Sequence, residues 1–183
     1  MSLIDRLDAC ARFTPSKYRT LMIGGKPLGR VDHAFAETLM PFTDVFSVRE
    51  DTVTLAENLE TAKDRTAAVA DVLETLRAQG MFPGWRGEHY PVSESFYEKP
   101  LLTIERATVP RFGTMGYGVH LNGYVVRNGQ LHMWVGKRSM QKQTGPGKLD
   151  QVVAGGQPVG LLVWDNLMKE CGEEAGMPAD LAA

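Results

Sequence analysis

With 183 residues, 43% of them hydrophobic, the chain can bury a core as one large domain or two small ones. Charged residues make up 23% and the formal net charge is −2, so the basic excess of a general nucleic-acid binder is missing and no nucleic-acid partner is expected. Cys10 and Cys171 are too few and too far apart for a disulfide framework, and no run approaches the roughly 18 apolar residues of a membrane span. The N-terminal MSLIDRLDACARF carries charges where a signal peptide is apolar, and a reducing, cytoplasmic location is expected with no membrane association.

In chain order, residues 3–13 read as a short amphipathic helix with Leu3, Leu7 and Cys10 on one side. GGKPLG at 24–29 lacks the spacing of a phosphate-binding P-loop and reads as a turn-rich loop. VDHAFAETLMPF (31–42) reads as a helix ended by Pro41, and VFSVRE (45–50) alternates like a strand. The clearest helix runs from Thr61 to Gln79, with Val69, Val72, Leu73 and Leu76 at helical spacing and Gly80 at the C-terminal cap. In WRGEHY (85–90) Trp85 is expected to anchor the core, with a ring-stacking wall as the alternative. LLTIERA (101–107) reads as a strand, with Glu105 and Arg106 as an ion pair at its end.

After PRFGTMGYG (110–118) the chain becomes strand-rich, and a domain boundary is placed near residue 112. VHLNGYVV (119–126) and LHMWVGKR (131–138) flank Asn128-Gly129, the strongest short hairpin signal, since both residues tolerate positive φ. A polar loop (139–150) leads to a short strand (151–154), the pair Gly155-Gly156, a loop ending at Gly160, and a helix over Trp164–Ala175. Its packing side is expected to be Leu167, Cys171 and Ala175, with Trp164 and Met168 beside them. His120 is read as structural.

The chemistry concentrates in KECGEEAG (169–176). Glu170, Glu173 and Glu174 fall within an arc of about 100° on a helix. They repel one another and lie near the helix C-terminus, where the macrodipole disfavours negative charge. A divalent cation would remove both penalties, and clustered carboxylates suit Mg²⁺ or Mn²⁺ better than Zn²⁺. Glycines beside such a helix allow backbone N–H groups to approach a phosphate, the pairing that diphosphate hydrolysis uses.

With these residues the sequence resembles the Nudix hydrolases, whose signature ends in Arg-Glu, two residues, Glu-Glu, one residue, Gly. The match is Lys169-Glu170-Cys171-Gly172-Glu173-Glu174-Ala175-Gly176-Met177. Lys169 replaces the Arg, and Leu161 stands where the first Glu belongs (Leu162 if the count starts from Gly156). WRGEHYPV, LLTIERATVPRFGTMGYGVHLNGYV and MWVGKRSMQKQTGPGKLDQVVAGG extend the resemblance. They narrow it to the subfamily of the Nudix portion of fungal thiamine pyrophosphokinase, plant chloroplast Nudix hydrolases and bacterial counterparts, in which the first Glu is often absent.

The resemblance implies an α+β N-terminal domain over residues 1–112 and a Nudix α/β/α sandwich with mixed sheet beginning at 113–183. On that reading the chain breaks off inside the sandwich and is expected to be a piece of a longer protein. Glu170, Glu173 and Glu174 are implied as Mg²⁺ ligands and, with Lys169, as the catalytic group. Arg138 is an implied contact of a small-molecule diphosphate, with a solvated strand end as the alternative; Lys137 beside it, Gly155 and Gly156 of the glycine loop, and Lys142 and Lys148 around the GPG loop are read from their own placement as further contacts. The implied reaction is Mg²⁺-dependent hydrolysis of thiamine diphosphate, or an oxidised analogue, to the monophosphate. A nucleoside diphosphate derivative as substrate, a catalytically silent ligand-binding domain, and a homodimer remain open at this point.

Overall fold

A computed structural model describes residues 2–10, 13–142 and 145–182. Residues 11–12, at the end of the expected N-terminal helix, and 143–144, inside the polar loop, lie outside the described residues, as does 183. The chain is mixed α/β and divides into two compact units, Met1–Met115 and Gly116–Ala183.

The first unit begins with α1 (Leu3–Cys10), none of whose residues is buried. A hairpin follows, formed by β1 (Tyr18–Ile23) and β2 (Lys26–Asp32). The stretch expected to be a loop is therefore a two-residue turn: Gly24 and Gly25 take φ of 56° and 77°, the double positive φ of a tight hairpin, and residues 26–29 belong to the returning strand. Asp32 caps α2 (His33–Leu39) by accepting a hydrogen bond from the Phe35 N–H at 2.8 Å. β3 (Phe46–Val48) and β4 (Thr52–Leu55) complete a mixed sheet in the order β2-β1-β4-β3, with β1 and β4 parallel.

α3 (Ala62–Ala78) starts at a reciprocal capping box between Thr61 and Asp64 and stops before Gly80, whose φ is 83°. β5 (His89–Val92) pairs with β6 (Leu102–Glu105), and a short α4 (Val109–Phe112) closes the unit. Leu21, Val31, Phe35, Val53, Val69, Leu73, Ile104 and Phe112 belong to one contiguous core cluster. Phe35 meets Phe82 and Phe112 edge to face, at 6.0 and 5.2 Å between centroids.

Trp85 packs against this cluster, with the Arg77 guanidinium 4.7 Å from its ring centroid. Glu105 and Arg106 do not pair with each other. Glu105 turns inward, where its Oε1 accepts from the Arg86 and Ala107 N–H groups, while Arg106 reaches Glu88 at 2.8 Å. The strand ends at Glu105 and the chain turns into a 3-10 turn at Arg106–Thr108, which sends the two side chains in different directions.

In the second unit, β7 (Gly118–Leu121), β8 (Tyr124–Arg127), β9 (Gln130–Met133), β10 (Gly136–Lys137), β11 (Leu149–Asp150) and β12 (Val153–Gly156) form three antiparallel pairs among the described residues: β7 with β12, β8 with β9, β10 with β11. The expected strand 119–126 is two strands with different partners, changing over at Asn122-Gly123. Asn128 and Gly129 turn the β8–β9 hairpin with φ of 53° and 73°. α5 (Val163–Ala175) ends at Gly176, which takes φ 61° and donates to the Gly172 carbonyl while Met177 donates to that of Cys171. A last turn, α6 (Ala179–Ala182), follows.

Candidate functional site

Asn166, Glu170 and Glu174 stand at i, i+4 and i+8 on α5 and so share one face. That face runs along one edge of β12. Asn166 Nδ2 donates to the Gly156 carbonyl at 2.9 Å and to Gln157 Oε1 at 3.0 Å. Glu174 Oε2 accepts from the Ala154 N–H at 3.0 Å. Between them the Glu170 side chain fills the space above Gly155, where a Cβ would lie 2.1 Å from its Cδ. The helix is thus docked on the strand edge by polar groups that satisfy backbone atoms left open by β12.

This overturns the expected glycine loop. Gly155 and Gly156 lie inside β12, opposite Val119 and Gly118, and neither has a positive φ. Ala154 and Gly156 direct polar groups toward α5, so strand alternation turns those of Gly155 toward Val119. Gly155 serves close packing: its missing side chain makes room for Glu170. Gly118 does the same for the partner strand, since a Cβ there would come within 2.8 Å of the Gly155 carbonyl oxygen.

Lys169 Nζ lies 3.3 Å from Glu170 Oε1 and 3.0 Å from Glu173 Oε2, gathering two of the three carboxylates on one ammonium. The Glu173 hydrogen bond and the charge of Glu170 hold the Lys169 pKa above its ordinary value, against the opposing effect of burial. Glu174 faces the strand and has Lys142 Nζ at 3.5 Å. Repulsion among the carboxylates and their poor fit to the helix dipole are offset here by two lysines and a backbone N–H.

Among the described residues no three His, Cys, Asp or Glu side chains converge as a metal site. Glu170 and Glu173 still fit a hard divalent cation in kind, because their oxygens already meet around one positive charge. Glu174 is committed to Ala154 and Lys142.

Arg138 follows β10 and binds Asp150 of β11 at 2.5 Å. This bond, with help from the Gln151 N–H, holds the Asp150 carboxyl below the ordinary range. Lys137 is exposed and makes no ion pair among the described residues. His120 Nδ1 pairs with Gln151 Oε1.

Two site residues were not expected from the sequence. Asn166 is 1% exposed and Gln157 5%, and both were hidden by the search for charge. The four-residue spacing of Asn166, Glu170 and Glu174 is the signal that finds Asn166, and Gln157 is met only through its hydrogen bond to Asn166. Gln157 Nε2 also donates to the Leu161 carbonyl at 2.7 Å, tying down the position where the Nudix signature has its first Glu. The expected apolar packing face is only partly realised: α5 buries Asn166 and Cys171, while Trp164 stays 56% exposed.

Comparison with known proteins places this geometry in context. The chain is 43% identical over 183 residues to Nudix hydrolase 24, chloroplastic, of Arabidopsis thaliana, covering 98% of this chain and 50% of that protein. It is 41% identical over 189 residues to Nudix hydrolase 20, chloroplastic, of the same plant, covering 97% and 50%. To Uncharacterized protein YJR142W of Saccharomyces cerevisiae it is 38% identical over 96 residues, 51% of this chain and 28% of that protein. The chain spans about half the length of the two plant relatives. Their names support the Nudix resemblance of residues 169–177, and neither name specifies a substrate.

The same names overturn the cytoplasmic location expected from the sequence, since both plant relatives are chloroplastic. Sparse cysteines report a reducing environment, and they do not distinguish one reducing compartment from another. A domain of unknown function, DUF4743, matches residues 2–116, well over half of the sequence, and the chain belongs to that family.

Proposed function

We propose that residues 113–183 are the first part of a Nudix domain, preceded by an α+β domain over 1–112, and that the protein hydrolyses a diphosphate linkage. The observation that carries this reading is the meeting of Glu170 and Glu173 around one positive charge beside β12. Glu170 and Glu173 would hold Mg²⁺ or Mn²⁺, with Glu174 on the neighbouring turn. When bound, the ion supplies charge neutralisation to the diphosphate oxygens. Lys169 keeps the two carboxylates gathered. Asn166 and Glu174 fix the helix against the strand, so the carboxylates stand on a rigid edge. Arg138, oriented by Asp150, and the exposed Lys137 offer cations to phosphate oxygens.

The substrate we propose is thiamine diphosphate or an oxidised analogue. One water forms a new bond to phosphorus as the bridging P–O bond breaks, giving the monophosphate and inorganic phosphate. Chromatographic measurement of the monophosphate formed with Mg²⁺ from thiamine diphosphate, oxothiamine diphosphate, ADP-ribose and a deoxynucleoside triphosphate panel tests this. The thiamine compounds are expected to be the best substrates. If they are the poorest, a nucleoside diphosphate derivative replaces them. If nothing is hydrolysed, the domain is a silent ligand binder.

A further inference from the structure

Lys169 Nζ lies 3.3 Å from Glu170 Oε1 and 3.0 Å from Glu173 Oε2. Glu170 has little freedom to offer anything else. Its side chain is 13% exposed, and its Oε2 stands at the strand, 2.5 Å from where a Cβ on Gly155 would lie. Oε1 is therefore the oxygen turned away from β12, and the ammonium holds that oxygen. Glu173 is more exposed, and Lys169 is its one hydrogen-bond partner among the described residues.

A divalent ion and this ammonium need the same atoms. Mg²⁺ takes oxygen ligands at about 2.0–2.1 Å in near-ideal geometry. A second positive charge bonded to those oxygens repels it, the more so where water is partly excluded. Glu174 is held in the same manner: Lys142 Nζ is 3.5 Å from Oε1, and the Ala154 N–H donates to Oε2. Glu170, Glu173 and Glu174 together with Lys142 and Lys169 leave one unit of negative charge uncompensated. A divalent ion in place of the Lys169 ammonium neutralises the group, whereas a monovalent ion leaves the balance unchanged. The lysine charge is a point on a flexible four-carbon stem, so it can swing aside without disturbing the helix.

We propose that Lys169 competes with the divalent ion for Glu170 Oε1 and Glu173 Oε2, and so sets the cation affinity of the site. This rests on the proposed role of Glu170 and Glu173 as holders of that ion. The test is calorimetric titration of the whole chain with Mg²⁺ alone, beside Lys169→Met and the charge-retaining Lys169→Arg. Magnetic resonance of the lysine Nζ groups is recorded over the same titration. Lys169→Met should bind Mg²⁺ about fivefold tighter, and Lys169→Arg no tighter than the unaltered chain. In the unaltered chain, the Nζ signal that Lys169→Met lacks should shift as Mg²⁺ saturates. That of Lys26, paired with Glu94 in the first unit, should stay in place. Equal or weaker Mg²⁺ binding by Lys169→Met, or a Lys169 signal unmoved at saturation, overturns the competition while the cation reading stands. Absence of Mg²⁺ binding in both the unaltered chain and Lys169→Met overturns both.

Discussion

The buried apolar side chains of the first unit form a single cluster running from Leu21 to Phe112, whereas the second buries Val119, Val153 and Cys171 beside two polar residues, Gln157 and Asn166. Tyr124, Leu131, Trp134, Leu149 and Trp164 of the second unit stay exposed. The first unit therefore draws its stability from apolar area removed from water. The orientation of α5 in the second rests largely on hydrogen bonds from one helix face to one strand edge. Side chains that could serve chemistry, Glu170 and Glu174, are there also part of what holds the helix in place.

The contrast can be broken first at the apolar core. Phe35→Ala removes a side chain 2% exposed and two edge-to-face contacts. It should cost about 3–5 kcal/mol in denaturant unfolding. A loss under about 1 kcal/mol would show that the cluster is not the source of the first unit's stability.

Asn166→Ala should cost about 1–3 kcal/mol, because it leaves the Gly156 carbonyl and Gln157 Oε1 without their donor. Asn166→Asp would retain the size and lose the amide donor, and should behave similarly.

A pair of glycines sharpens the comparison. Gly29→Ala meets a backbone oxygen that cannot swing away and should cost about 1–3 kcal/mol. Gly155→Ala meets the end of a flexible side chain and should cost less than about 1 kcal/mol while displacing Glu170. Thermal unfolding of both variants, with a divalent-cation titration of the second, separates the effects.

The smallest effect concerns pH. Asp150 has its carboxyl held below the ordinary range near about 3.9, so the stability it contributes is complete above that value. It is lost as pH falls through the lower folded-state value. Asp150→Asn should flatten this acid dependence and change stability by under about 1 kcal/mol at neutral pH.

The elements legible in the sequence were those with local signals. Val69, Val72, Leu73 and Leu76 marked α3, Asn128-Gly129 marked its hairpin, and the helix expected over Trp164–Ala175 corresponds to α5. The β1–β2 hairpin was hidden because Pro27 and Gly29 interrupt the returning strand, and its alternation is carried by few residues. The pairing of β7 with β12 joins distant segments, and no local pattern encodes it. At the site, the carboxylates of KECGEEAG were read from their charge, while their hydrogen-bond partners were not. Ala154 contributes through its backbone and Asn166 through an amide that hydropathy counts as surface.

The central claim, that Glu170 and Glu173 hold a divalent cation for diphosphate hydrolysis, is tested most directly by Glu173→Gln. Glu173 is 59% exposed and bonds only to Lys169 among the described residues, so the fold should be unaffected. Mg²⁺-dependent phosphate release and Mg²⁺ affinity, measured side by side with the unaltered protein, should both fall by most of their value. Unchanged turnover and unchanged Mg²⁺ affinity in a folded Glu173→Gln would contradict the account.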